Sequence, residues 1–278
     1  LFSLVISGIL WGTGGIAGDL LRESAGLSPL AIAAYRLCVG GLLLLSVFVF
    51  RRLPLPRGVA AWRRIVLIGV LAAVFQACFF ASISFTSVSV ATLITIGAAP
   101  VFVLLGSGTF DRRAVGTVCL ALTGFVLLSG APTGTMSVPG IGLALAAAAG
   151  FALMTLVSAR PVSGLDDLAA TGFAFTLGGL LLACFADLRF NPGVGSVSLL
   201  LFLGIVPTAL AYSLYFRGLR SAPATTAALM ALLEPLTGAV LAATLLGDRL
   251  TVFGLVGATL LVAAVGLAAL NPRRPAVT

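Results

Sequence analysis

Arg36 and Glu234 are the ionisable side chains that fall well inside long apolar stretches of this sequence. A charge at the centre of a bilayer costs about 2.5–3.5 kcal/mol on insertion scales, so each of them needs a polar surrounding. At 1.5 Å of rise per residue, Arg36 is expected roughly 12 Å and Glu234 roughly 18 Å below the same surface. At those depths they could pair with each other, or grip the carboxylate and ammonium of an amino acid. Glu234 could also carry a proton.

Aromatic and polar residues gather on two further stretches. Phe75 and Phe79 stand four residues apart and share a helical face, with Gln76 and Phe80 on the adjoining stripe. A face that mixes Gln76, Phe80 and Ser82 suits a cavity wall better than lipid, although any single Phe suits lipid as well. Tyr212 and Tyr215 bring hydroxyls into apolar sequence, where they need partners. Trp11 would be a gate over the same cavity or a ring facing lipid. A lining of Trp11, Gln76, Phe79, Phe80, Ser82, Tyr212 and Tyr215 would hold a small amphipathic metabolite by stacking and a few hydrogen bonds. Pro100, Pro207 and Pro235 also lie inside apolar stretches, where each would free a carbonyl four residues earlier, on Ile96, Leu203 and Ala231. Static kinks would serve packing alone; the pairing of Pro100 with Pro235 across 135 residues favours hinges.

The elements that must position these groups are membrane helices. Apolar residues make up 60% of the chain and charged residues 9%, with a mean hydropathy of +1.21. No soluble protein of 278 residues could bury that much apolar surface. Ten stretches reach spanning length: 2–19, 29–50, 64–85, 88–109, 114–130, 138–158, 166–187, 196–217, 222–246 and 250–270. Breaks at Pro54-Leu55-Pro56, Ala131-Pro132-Thr133-Gly134 and Asn191-Pro192-Gly193 punctuate them. No polar mature domain follows the first stretch, which therefore reads as a span rather than a signal peptide. Leu67-Ile68-Gly69-Val70 recurs 135 residues later as Phe202-Leu203-Gly204-Ile205. Residues 1–134 and 135–278 thus read as two five-helix repeats. Five is odd, so the second repeat enters the membrane from the opposite side. Inverted repeats around a midplane site form an architecture for alternating access. Within the first span, Gly8-x-x-x-Gly12 and Gly14-x-x-x-Gly18 predict close helix packing. Gly40-Gly41 and Gly178-Gly179 predict tight contacts elsewhere.

Several function classes are excluded. The chain contains no Lys and no His, so it has no Walker A lysine, no Schiff-base lysine and no histidine base or zinc-protease motif. Neither cofactor nor metal is expected: Cys38, Cys78, Cys119 and Cys184 are too isolated for ligand spacing. The net charge of +8 comes from arginines at span ends, without the basic stripe and stacking aromatics of a nucleic-acid binder. Asp166-Asp167, the adjacent acid pair, sits at a helix start, where carboxylates complement the helix dipole. No second acidic motif in the bilayer supports an enzyme, and neither an acidic ring nor a carbonyl filter supports a channel.

Arginine placement sets the expected orientation. Arg51, Arg52, Arg57, Arg63, Arg64, Arg112, Arg113, Arg160, Arg217, Arg220, Arg273 and Arg274 share one side, against Arg22, Arg189 and Arg249 on the other. Both termini are therefore expected in the cytoplasm, with Trp62 beside Arg63 and Arg64 as an interfacial anchor.

Trp11-Gly12, Tyr35-Arg36 and Ala98-Ala99-Pro100-Val101-Phe102, followed by Leu232-Leu233-Glu234-Pro235 and Leu246-Gly247-Asp248-Arg249, resemble the motifs of the drug/metabolite transporter superfamily. The glycine-rich last spans of each half (Gly116, Gly124, Gly257, Gly266) are similar too. Asp248 departs from the Glu usual there but keeps its charge. The resemblance covers the whole chain and is strongest to the ten-helix exporters, among them bacterial inner-membrane exporters of aromatic and other amino acids. It implies a cavity lined by spans one to four and six to nine, with spans five and ten as outer supports. It also implies gradient-linked or facilitated export without a cofactor, and a structural or gating role for Arg36 and Glu234, since both types recur whatever the substrate. The expectation is an all-α integral membrane protein that exports small metabolites, amino acids first, with drugs, sugars, nucleosides or vitamin precursors as the alternative. Its partners would be that small molecule and membrane lipid. A monomer suffices for this reading.

Overall fold

In the computed structural model, which describes residues 1–270 apart from 109, 132, 133 and 135, the chain is all-helical. The Pro132-Thr133 joint and the arginines at 273 and 274 lie outside the described residues. The helices are α1 (Phe2–Gly12), α2 (Gly14–Ala25), α3 (Pro29–Phe50), α4 (Val59–Phe85), α5 (Val88–Ser107), α6 (Arg112–Ser129) and α7 (Val138–Ala159). They continue with α8 (Asp167–Ala183), α9 (Val194–Gly204), α10 (Ala211–Gly218), α11 (Ala224–Ala231), α12 (Leu233–Leu241) and α13 (Val252–Leu270). A π-helical segment, Ile205–Leu210, joins α9 to α10, and another, Ala242–Leu246, follows α12. Nine of these units are long and apolar enough to cross a membrane, and α8 is a shorter apolar tenth.

Local chemistry sets the ends. Ser28, Ser87 and Ser137 cap α3, α5 and α7 by accepting from a backbone N–H three residues on, and Asp166 accepts from Leu168 and Ala169 N–H at the start of α8. The first crossing runs to Ala25, beyond its expected end at 19, because its stop is the left-handed Gly26, not the loss of hydropathy at Asp19.

The second half begins on the opposite face from the first. At the start of α7, Ser137 Oγ donates to the carbonyl of Phe85, at the far end of α4 from the N-terminal face. Packing between the halves is exchange-symmetric. The α3–α8, α6–α13 and α5–α11 pairs lie on the pseudo-axis, while α4 on α7 is matched by α1 on α10, and α5 on α7 by α1 on α11 and α12. Small residues allow these approaches. A Cβ on Gly178 would stand 2.8 Å from the Gly69 carbonyl oxygen, one on Gly179 2.7 Å from the Cys38 nitrogen, and one on Gly124 2.8 Å from the Gly257 oxygen. Helices α6 and α13 pack chiefly on each other, outside the rest of the bundle.

Three crossings are broken, all in mid-span. The first breaks at Thr13, whose hydroxyl turns back to the Leu10 carbonyl (2.7 Å). The eighth breaks at the π segment around Pro207, and the ninth at Leu232, three residues before Pro235. Pro100, by contrast, lies inside an unbroken α5. Its pairing with Pro235 in sequence is therefore not matched in local structure. Both prolines stand beside cavity-lining residues, Ala99 and Glu234, so exposure to the cavity does not explain the difference.

Candidate functional site

A cavity of about 410 Å³ opens between the two halves, and the three broken crossings contribute to its wall through Gly14, Pro207 and Glu234. Its floor is aromatic. Trp11 lies edge-on to Tyr212 (ring centroids 4.9 Å) and Phe151 (6.0 Å), and Phe75 packs 5.7 Å from Phe151. Above the floor stand Arg36 on α3, Gln76, Phe79 and Phe80 on α4, Thr92 and Thr95 on α5, and Gly15 and Gly18 on α2. The mouth is formed by the exposed residues Asp19, Arg22, Pro29 and Val88, on the face opposite the N-terminus.

Arg36 and Glu234 share this cavity but are not an ion pair: no oxygen of Glu234 lies within 4 Å of a guanidinium nitrogen among the described residues. Arg36 is held instead by Gln76. The buried amide turns its oxygen to the guanidinium and accepts from Nε at 3.3 Å and Nη2 at 2.5 Å, because the reverse orientation would set donors against donors. Tyr212 borders the same cavity.

Of the residues expected at the cavity, Trp11, Gln76, Phe79, Phe80 and Tyr212 border it, together with Arg36, Glu234 and Pro207. Ser82 does not: it is fully buried, and its hydroxyl donates to the Gly140 carbonyl (2.8 Å), which ties α4 to α7. Tyr215 does not either. It sits beneath the floor, wholly buried, with its hydroxyl 3.0 Å from that of Thr155. Both polar groups sought partners, as a buried hydroxyl must, and found them in the protein instead of the cavity. Tyr215→Phe is expected to lower stability by about 1 kcal/mol, since Thr155 can turn back to its own helix. The change would appear as a lower thermal midpoint in detergent, with ligand binding unaltered. The Leu203 carbonyl freed by Pro207 is likewise occupied, by the Thr208 hydroxyl at 2.8 Å.

The glycines of the first crossing divide into two sets. A Cβ on Gly12 would stand 2.6 Å from the Glu234 carbonyl oxygen, and one on Gly8 2.9 Å from Leu233 Cβ, so these two bring α1 onto α11 and α12. Gly15 and Gly18 have no neighbouring atom within 4 Å of a Cβ position and face the cavity. Gly14-x-x-x-Gly18 is therefore only half the packing motif its spacing suggests: a Cβ on Gly14 would meet Pro207 at 3.4 Å, whereas the missing side chain of Gly18 is part of the open volume.

On the N-terminal face the path is shut below the aromatic floor. Arg220 Nε donates to Asp167 Oδ2 at 3.1 Å, and its Nη2 to Oδ1. Arg64 Nη1 donates to the carbonyls of Arg160 (2.8 Å) and Val157 at the C-terminal end of α7, where the helix dipole favours a cation. Phe216 joins these residues around a remnant void of about 20 Å³. Asp167 thus does more than complement a helix dipole. No spacing in the sequence connects it with Arg220, 53 positions away.

Comparison with known proteins agrees with this architecture. A solved crystal structure superposes with a TM-score of 0.81 over 98% of both chains at 19% identity, a likeness of fold. The chain is 31% identical to the transporter YwfM of Bacillus subtilis (strain 168) over 98% of its own length and 94% of that protein. It is 26% identical to the inner membrane transporter YicL of Salmonella typhimurium over 99% and 97%. The EamA-like transporter family model matches residues 1–130 and again 138–270. The chain is thus a multi-pass membrane transporter that belongs to the EamA-like family of the drug/metabolite transporter superfamily.

Proposed function

We propose that this transporter exports small metabolites, amino acids foremost, across the bacterial inner membrane by alternating access. The observation that carries the reading is a cavity of about 410 Å³ with a charged and aromatic lining, open at one face and closed at the other. That volume lies in the range of small-molecule sites, and a lining of aromatic rings with a few polar groups suits an amphipathic solute. The described arginines of the loops and helix ends crowd the N-terminal face, with Arg22, Arg189 and Arg249 on the other. By the positive-inside rule the termini are then cytoplasmic and the cavity faces outward, the state from which an exporter releases its load. Rocking of the two inverted halves would break the contacts of Arg64 and Arg220 and close the mouth between Arg22, Pro29 and Val88.

Counterflow in proteoliposomes tests the reading. Vesicles preloaded with unlabelled phenylalanine, threonine or methionine are expected to accumulate a labelled trace of the same amino acid without any gradient. A failure with every amino acid, from protein shown to be folded, would discard that substrate class. A pH gradient that changes net flux would make Glu234 a coupling site.

A further inference from the structure

Glu234 and Arg36 are opposite charges facing one cavity inside the membrane, yet they are left apart. The carboxylate of Glu234 makes no hydrogen bond and no ion pair within 4 Å among the described residues. The guanidinium of Arg36 has five N–H donors, of which the Gln76 oxygen engages those of Nε and Nη2, so the remaining edge is open to the cavity. Gln76 is 3% exposed and contributes no charge, so it holds the guanidinium in place without neutralising it.

If the pair served only the fold, closing it into a salt bridge would relieve the cost that each charge bears at this depth. The ligand that relieves both costs at once carries a carboxylate and an ammonium on one small body. A zwitterion does this without bringing net charge into the bilayer. We propose that Arg36, braced by Gln76, binds the α-carboxylate of a free amino acid, and that Glu234 binds its α-ammonium. This rests on the amino-acid exporter reading and assigns the two ends of its substrate. The planar guanidinium edge takes a carboxylate through paired N–H donors. Trp11 and Tyr212, set edge-on at 4.9 Å on the cavity floor, supply the aromatic rings that would receive the ammonium beside Glu234. The side chain of the amino acid then lies against Phe79 and Phe80 or over the bare surface of Gly15 and Gly18.

The test is calorimetric binding to the purified full chain in detergent, run beside counterflow. The probes are phenylalanine, methionine and threonine, each with its decarboxylated amine and its deaminated acid. At least one zwitterion is expected to bind about thirty-fold tighter than either of its stripped analogues, the loss that follows when one partner of a buried charge pair is removed. Glu234→Gln is expected to erase the preference for the zwitterion over the acid, and Arg36→Gln its preference over the amine. If every zwitterion that binds the native protein is matched by one of its stripped analogues, the assignment is overturned. So does the absence of binding by all the zwitterions. These comparisons need no variant, so a variant that fails to fold leaves the proposal open to refutation. A zwitterion that binds selectively but is not exchanged in counterflow would sink the exporter reading and leave the assignment standing.

Discussion

Gly15→Leu and Gly18→Leu are expected to give folded protein with strongly weakened substrate exchange, whereas Gly8→Leu and Gly12→Leu are expected to give little folded protein at all. All four glycines belong to one crossing, and their sequence contexts are alike. What separates them is what a side chain would meet. At Gly12 a Cβ would press within 2.6 Å of the Glu234 carbonyl oxygen, and backbone cannot rotate away as a side chain can. Overpacking a well-packed contact costs about 1–3 kcal/mol, and overlap with backbone belongs at or beyond the top of that range. At Gly15 and Gly18 no atom lies within 4 Å, so the leucine enters the cavity without straining the helix. There the same overlap is with substrate, and about 1–3 kcal/mol lowers its affinity roughly 5- to 150-fold. Size-exclusion profile and thermal midpoint report the fold, and counterflow reports the transport. Gly18→Leu protein with normal exchange would show that substrate does not pass that wall.

Breaking the inner seal is the second large effect. Asp167→Asn is expected to shift the protein toward the conformation open on the N-terminal face. The Asp167 and Arg220 side chains are about one-third exposed, so their forked pair is worth about 1 kcal/mol, the upper end for a partly solvated ion pair. That amounts to roughly a five-fold change in the ratio of open to closed forms. Ser158, 4% exposed and lining the remnant void beside Arg64 and Arg220, reports the opening. In a background freed of Cys38, Cys78, Cys119 and Cys184, a maleimide applied from the N-terminal face should label Ser158→Cys about five-fold faster once Asp167→Asn is added. The exchange Asp167→Arg with Arg220→Asp should restore the slow rate. Labelling unaffected by Asp167→Asn would make the ion pair incidental to closure, with the aromatic floor and the Arg64 contacts sufficient.

The crossings and their order were legible in the sequence, and so were some of their ends. Stretches such as 29–50 and 138–158 match α3 and α7 to within a residue, because lipid offers backbone groups no partner and about 20 apolar residues must therefore form one helix. The repeat at 135 residues and the odd number of spans implied the inversion of the second half. The need of Arg36 and Glu234 for polar surroundings was equally a matter of residue type and depth.

Which way each helix faces was decided only by the tertiary structure. Ser82 turned to α7 instead of the cavity, Tyr215 sank beneath the floor to meet Thr155, and Gly15 and Gly18 opened a wall while Gly8 and Gly12 closed a contact. In a soluble protein an apolar stripe marks the buried face. Here lipid is as apolar as the protein interior, so a helix such as α8 or α13 is greasy all round and its sequence carries almost no rotational signal. The same holds for the seal: Asp167 and Arg220, or Arg64 and Val157, meet because four helices converge at one end of the bundle. Sequence determined what must lie in the membrane; the packing of helix on helix determined where the space, the charges and the closure came to be.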